Sequence, residues 1–157
     1  MSAFNLLAVA AVIIGCSALT QLAQAQGSVR DDGVRVRYIV ADVPKAIAFY
    51  THDLGFRLDA QTGPYFAMLS RGALQLVLSP PQGPGGASRA TTDGQQPIPG
   101  GWDRMILATD NLESEVKTLR EDGVHFRTDV NAGPGGKQIL LEDPSGNPIE
   151  LFQPAAQ

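Results

Sequence analysis

The sequence predicts an α+β fold made of two tandem βαβββ modules, and three observations carry that expectation. A strand-then-helix pattern that begins at Arg35 is written again 69 residues later, from Arg104. Each helical stretch is followed by three apolar segments set apart by turn residues. Between the two copies lies a stretch, residues 80–101, rich in Pro and Gly, which reads as an exposed crossing loop without regular structure. A single βαβββ unit leaves one whole sheet face open, so pairing with its duplicate is the direct way to enclose that face, and duplication predicts a shared cavity.

In the first copy, residues 35–40 alternate, with Val36, Tyr38 and Val40 on one face and Arg35, Arg37 and Ile39 on the other, as a half-buried strand requires. Asp42 then precedes Val43, Ile47, Tyr50 and Leu54, spaced three or four apart as on one face of a helix. Asp42 suits the N-cap, because its carboxylate can accept an orphan amide of the first turn. Pro44 suits that turn, where no amide hydrogen is needed, and Gly55 supplies a left-handed stop. Strands are expected at 56–60, 65–70 and 73–79.

The second copy repeats each part. Residues 104–109 alternate, Asn111 stands at the cap, and Leu112, Val116 and Leu119 form the stripe up to Gly123. Its strands are expected at 125–130, 137–142 and 148–153. On this reading Val36, Tyr38, Val40, Leu74, Leu76, Leu78, Met105, Leu107, Ile149 and Leu151 face the helices and build the cores. The opposite faces line the groove.

The 157 residues allow one compact domain after a leader. A net charge of −4 gives no general attraction to phosphate backbones, so no nucleic-acid partner is expected. No charged residue precedes Arg30, and residues 6–22 are dominated by Leu, Ala, Val and Ile, which reads as an export signal. Ala23-Gln24-Ala25 offers the small-x-small pattern for cleavage before Gln26. Ile13-Ile14-Gly15-Cys16 competes with it, resembling a lipobox in which Cys16 becomes an acylated first residue and the membrane is reached through a lipid anchor. A retained anchor is the third alternative, and the lack of Lys or Arg in residues 1–5 counts against the first two. All three place the domain outside the cytoplasm, in the periplasm or beyond the cell. The organisation is then a signal peptide at 1–25, or a lipoprotein leader ending before Cys16, a linker at 26–33, and a domain at 34–154. Within the domain, module one spans 34–79, the loop 80–101 and module two 102–154.

Cys16 is the only cysteine and lies in the leader, so thiol catalysis, disulfides and Cys-based metal sites are excluded from the domain. His52 and His125 are the only histidines. Neither has a partner at motif spacing, and both read as solvated. Gly133-Pro134-Gly135-Gly136-Lys137 lacks the following helix and the Gly-Lys-Ser/Thr ending of a phosphate cradle, and reads as a turn before a strand.

Two segments carry a family resemblance. Asp-Val-x-x-x-Ile-x-Phe-Tyr-x-x-x-Leu-Gly-Phe from Asp42 to Phe56, and Asp-Pro-Ser-Gly-Asn-Pro-Ile-Glu-Leu from Asp143 to Leu151, resemble the landmark segments of the vicinal oxygen chelate superfamily. That group includes glyoxalase I, extradiol dioxygenases and bleomycin-resistance proteins. The resemblance implies paired modules forming a cupped mixed sheet around a small-molecule site, in a homodimer. In the family's metal enzymes the ligands come from an early position of the first strand and from the last strand of each module. Carried onto this chain, those positions are Arg35, Gln75, Arg104 and Glu150.

Only Glu150 matches a metal-binding acid. A guanidinium keeps its proton and has no lone pair to give, so Arg35 and Arg104 would repel a divalent ion. No metal or other cofactor is therefore expected. The remaining donor set, Gln75 and Glu150 with Asp103 if the strand register is one residue off, is a weak alternative. Arg35, Arg37, Gln75, Arg104 and Phe152 are the expected ligand-binding residues, the guanidinium groups suiting a carboxylate or other oxyanion. Glu150, held ionised near arginines, is the candidate catalytic base. The blander expectation is that Arg104 pairs with Glu150, and Arg35 with Gln75 or Asp103, merely filling the vacated site. Tyr65, Phe66 and Met68 read as pocket walls or plain core, and Trp102 as a stacking platform or a pin for the loop.

Three functions follow. The first is a metal-independent small-molecule-binding protein. The second is a glyoxalase-like lyase or isomerase with Glu150 as base and a recruited metal. The third is a partner-binding module that keeps only the fold.

Overall fold

The computed structural model describes residues 34–156; the leader, Cys16 and the linker at 26–33 lie outside the described residues. Module one runs β1 (Val34–Ile39), α1 (Val43–His52), β2 (Arg57–Thr62), β3 (Phe66–Arg71) and β4 (Leu74–Ser79). Module two runs β5 (Met105–Ala108), α2 (Leu112–Glu121), β6 (Asn131–Gly133), β7 (Gly136–Glu142) and β8 (Pro148–Pro154). The sheet orders are β1-β4-β3-β2 and β5-β8-β7-β6, so the two modules share one topology. In each, the first and last strands pair in parallel and the remaining pairs are antiparallel. The connecting stretch carries one 3₁₀ turn, Gly86–Ser88, and is otherwise irregular.

Both helices begin and end as their residue types dictate. Asp42 accepts the Lys45 amide at 2.9 Å, and Asn111 accepts the Ser114 amide at 3.1 Å. Each satisfies one orphan donor of a first turn. Gly55 (φ 64°) and Gly123 (φ 79°) turn the chain left-handed after the helices. After α2 the Val124 amide reaches the Leu119 carbonyl and the Gly123 amide the Arg120 carbonyl, a Schellman closure.

The alternation in β1, β4, β5 and β8 sorts their side chains as the sequence implies. Tyr38, Val40, Leu76, Leu78, Met105, Leu107, Ile149 and Leu151 are buried in one core with residues of both helices, and Val36 and Leu74 pack against it partly buried. The other parity of those strands carries Arg35, Arg37, Gln75, Ile106 and Glu150.

One strand is misplaced by the sequence pattern. Residues 125–130 do not form the expected strand; they make a single bridge, Phe126 to Leu141, and the ladder resumes only at Asn131 opposite Gln138. The reason is local. The Thr128 hydroxyl takes the Leu140 amide at 3.1 Å, replacing the backbone carbonyl that a continuous ladder would use. Five residues on one side then span three on the other, so the segment bulges away from β7.

The modules are joined by buried polar groups. The Tyr38 hydroxyl donates to the Pro148 carbonyl at 2.9 Å and accepts the Met105 amide at 3.1 Å, tying β1 to both β5 and β8. The turn before β8 does the rest. Asn147 donates to the Ile39 carbonyl and accepts the Gly100 amide, while the Ser145 hydroxyl accepts the Ala41 amide. The second landmark segment is thus a clasp between modules.

Candidate functional site

The parallel register decides where the candidate residues fall. Arg35 stands opposite Gln75 on adjacent strands, and Glu150 stands opposite Ile106, two residues beyond Arg104. The side chains pair in both modules. Arg35 Nε donates to Gln75 Oε1 at 2.6 Å, and Arg104 Nε donates to Glu150 Oε2 at 2.8 Å. Each arginine of the repeat thus meets an acceptor on its partner strand, a neutral amide directly across in module one and a carboxylate two residues further along in module two, on the sheet faces turned away from the helices. Glu150 is only 5% exposed and Arg104's side chain is one-third exposed, so the pair is sunk at its acidic end and open at its basic end.

The neighbours extend this surface. Arg37 Nη1 donates to the Ser79 hydroxyl at 2.5 Å. Phe152, half-buried, stands across from Ala108 in β8, on the same parity as Glu150. Arg104 Nη1 also reaches the Trp102 carbonyl at 3.4 Å, and Trp102 is 71% exposed. Its place is set from behind. The Arg127 guanidinium stacks 5.2 Å from the indole centroid while donating to the carbonyls of Gly101 and Gly146 and to Glu142. Arg127, which sequence reasoning passed over, is thus the pin of the loop end. Phe66 and Met68 are half-buried on β3, and Tyr65 is 50% exposed.

Asp103 falls on the other parity from Arg104, and its charge bears on the Tyr38 phenol. The one-residue slip that would bring it beside Glu150 does not occur, because Arg104 already occupies that side. The four carried-over positions thus present two guanidinium groups, one amide and one carboxylate. Those side chains do not fit a divalent ion, which needs three or four lone-pair donors, and the carboxylate's Oε2 is already taken by Arg104.

A second cluster was not visible in the sequence. His52 and His125 are exposed, as solvated histidines are expected to be, and each also meets an acid: His52 Nδ1 lies 2.5 Å from Asp53 Oδ1, and His125 Nδ1 lies 2.9 Å from Glu142 Oε2. The hydrogen bond to Asp53, then the charges of Asp53 and Asp122, raise the His52 imidazole above its ordinary pKa. Both histidines line one open cavity of about 410 Å³ between the end of α1 and the turn after α2. No spacing rule links positions so far apart; only the fold does.

Comparison with known proteins agrees with this architecture. The profile described as "Glyoxalase/Bleomycin resistance protein/Dioxygenase superfamily" matches residues 34–151. A comparison with curated proteins finds no match. Among solved structures, TnmS3, an antibiotic binding protein from Streptomyces sp. CB03234, is 28% identical with a TM-score of 0.61, over 78% of this chain and 95% of that one. A member of the same superfamily from Sphaerobacter thermophilus is 29% identical with a TM-score of 0.60, over 77% and 95%. A lactoylglutathione lyase from Agrobacterium tumefaciens also matches, with a TM-score of 0.61 over 76% and 91%; at 18% identity it shares the fold alone.

Proposed function

The chain belongs to the glyoxalase/bleomycin resistance protein/dioxygenase superfamily, and from that premise we propose that it is a small-molecule-binding protein that works without a metal. Its ligand is an anionic or oxygen-rich metabolite, met outside the cytoplasm. The observation that carries this reading is the Arg104–Glu150 pair. A permanent cation stands where the family's metal enzymes place a ligand, and the same is true of Arg35 in the other module. The similarity to an antibiotic binding protein supports the binding half of the proposal.

Binding would use donors the pairs leave over. A guanidinium has five N–H groups; Arg104 spends one on Glu150 and one on Trp102, and Arg37 spends one on Ser79. A carboxylate laid against the exposed end of Arg104 gains charge-assisted hydrogen bonds without displacing Glu150. Trp102 beside it offers an apolar face. Export, by cleavage before Gln26 or acylation at Cys16, and assembly as a homodimer belong to the same proposal.

A second reading keeps Glu150 as the base of a lyase or isomerase with a recruited metal, and the burial of its carboxylate is what favours it. Ligand titration separates the two. Trp102 is the only tryptophan, so its fluorescence reports directly on this surface when the purified protein is titrated with a panel of aliphatic and aromatic carboxylates. Saturable quenching that Arg104→Glu abolishes supports binding by the cation. Affinity unchanged by Arg104→Glu would sink it, and turnover that Glu150→Gln abolishes would establish the second reading instead.

A further inference from the structure

We propose that the converging C-terminal ends of α1 and α2 form a site for a divalent ion of the nickel, copper and zinc group, built from His52, Asp53 and Asp122. The site is separate from the sheet-face surface described above. A ring nitrogen of His52 and carboxylate oxygens of Asp53 and Asp122 all lie within 4.8 Å of one another. The three side chains open onto the 410 Å³ cavity that His125, Glu142 and Asp143 also line.

The repeat explains why these donors meet. Asp53 is the C-cap of α1 and Asp122 the C-cap of α2, and they are 69 residues apart, the same interval that separates Arg35 from Arg104. Duplication has placed the same acid at the same helix end twice, and module pairing brings the two ends together. Each helix C-terminus carries about half a negative charge from its unsatisfied carbonyls, where a cation is favoured and a carboxylate is not. Two carboxylates at two such ends concentrate negative potential at the cavity, whose wall carries Lys45 as its one lysine beside the acids Asp53, Asp122, Glu142 and Asp143. A bound divalent cation would offset it.

His52 Nδ1 and Asp53 Oδ1 lie 2.5 Å apart, a contact that an ion held by both would replace, and on the same cavity wall Glu142 Oε2 lies 2.9 Å from His125 Nδ1. Mixed imidazole and carboxylate donors, with room in the cavity for water to complete the shell, suit zinc, nickel or copper rather than magnesium. Nothing in this site depends on the cations at Arg35 and Arg104.

The test is equilibrium dialysis and calorimetry of the untagged protein against zinc chloride, with the imidazole proton resonances followed in parallel. The chain has two histidines, so their signals are readily assigned by substitution. One zinc per chain is expected, with the His52 signals shifted on addition. His52→Ala and Asp122→Asn should each weaken binding at least tenfold, and both sit on exposed positions where the melting temperature checks that the fold is kept. Glu150→Gln should bind zinc as the parent does. Absence of binding, or affinity unchanged in both His52→Ala and Asp122→Asn, overturns the site while leaving the metal-independent reading of the sheet face intact. Zinc lost in Glu150→Gln but retained in His52→Ala would overturn both.

Discussion

The hydroxyl of Tyr50 donates to Asp143 Oδ2 at 3.0 Å, joining α1 of the first module to the turn before β8 of the second across 93 residues of sequence. Asp143 is buried, and its other acceptor positions take the amides of Ser145 and Asn147 and the side-chain amide of Asn147. Tyr50→Phe removes one of these bonds and leaves three, so its cost is expected at about 1–2 kcal/mol. Asn147→Ala strips the Asp143, Ile39 and Gly100 contacts together and should cost more, about 2–4 kcal/mol. Urea denaturation of the two variants checks the order; an Asn147→Ala protein as stable as Tyr50→Phe would mean the turn does not clasp the modules.

The two bridging phenols make the protein sensitive to alkali. Burial, with the Asp143 charge and hydrogen bond, holds Tyr50 well above its ordinary value of 10.0. Burial also raises Tyr38, the Asp143 and Asp103 charges adding to it against the Met105 amide and the Arg104 charge. Below about pH 10 both groups are neutral in folded and unfolded chains, and their contribution to stability is fully present. As pH climbs past that value the unfolded chain gives up protons that the folded chain keeps. Stability then falls, by at most about 1.4 kcal/mol per pH unit for each phenol, until the raised folded values are reached. Urea midpoints measured upward from about pH 9 should drop, and Tyr50→Phe should make the drop shallower. A slope identical in parent and variant contradicts this.

Arg104 and Glu150 form a pair whose two halves are unequally buried, and the substitutions should show it. Arg104→Met leaves a carboxylate that is 5% exposed without its partner, an expected loss of roughly 1–3 kcal/mol after allowance for the exposed guanidinium end. Glu150→Gln keeps an acceptor for Arg104 Nε and should cost under about 1 kcal/mol. In the double variant Arg104→Met/Glu150→Gln the loss should be smaller than for Arg104→Met alone, since no buried charge is then left unpaired. A double-mutant cycle with no coupling would show that the pair is not formed in solution.

That pair was legible in the sequence, and it is instructive why the second histidine cluster was not. Arg35 and Arg104 sit at one interval in a duplicated pattern, and alternation within strands fixes which face they share with Gln75 and Glu150; strand parity and repeat length suffice. The core from Tyr38 to Leu151 followed from the same alternation. His52 meets Asp122, and both enter one cavity with His125, only because two modules pack in a particular way, and no local period encodes that. The missed strand at 125–130 fails for another reason. Its apolar residues alternate adequately, but Thr128 substitutes a side-chain oxygen for a carbonyl and ends the ladder, a competition between side chain and backbone that hydrophobic pattern does not report.

Gly136 and Gly123 separate steric exclusion from conformational strain. Gly136 opens β7 with φ 141°, and a Cβ placed there would lie 2.1 Å from the Gln153 carbonyl oxygen and 3.0 Å from the Ala155 amide nitrogen. The obstacle is the backbone of β8, which cannot rotate aside as a side chain would. Gly123, at φ 79°, has nothing within 4 Å of its would-be Cβ, so it carries the left-handed preference without the clash. Gly123→Ala should therefore cost about 1–2 kcal/mol, the ordinary penalty for an L-residue in that region. Gly136→Ala must in addition part β7 from β8 at Pro154, and should cost upward of about 3 kcal/mol. Hydrogen exchange of the β7 and β8 amides localises the damage: in Gly136→Ala protection should fall along the pair from the Gly136 end, and in Gly123→Ala it should not. Equal costs in the two variants would show that β7 and β8 are not in contact where the Gly136–Pro154 register puts them.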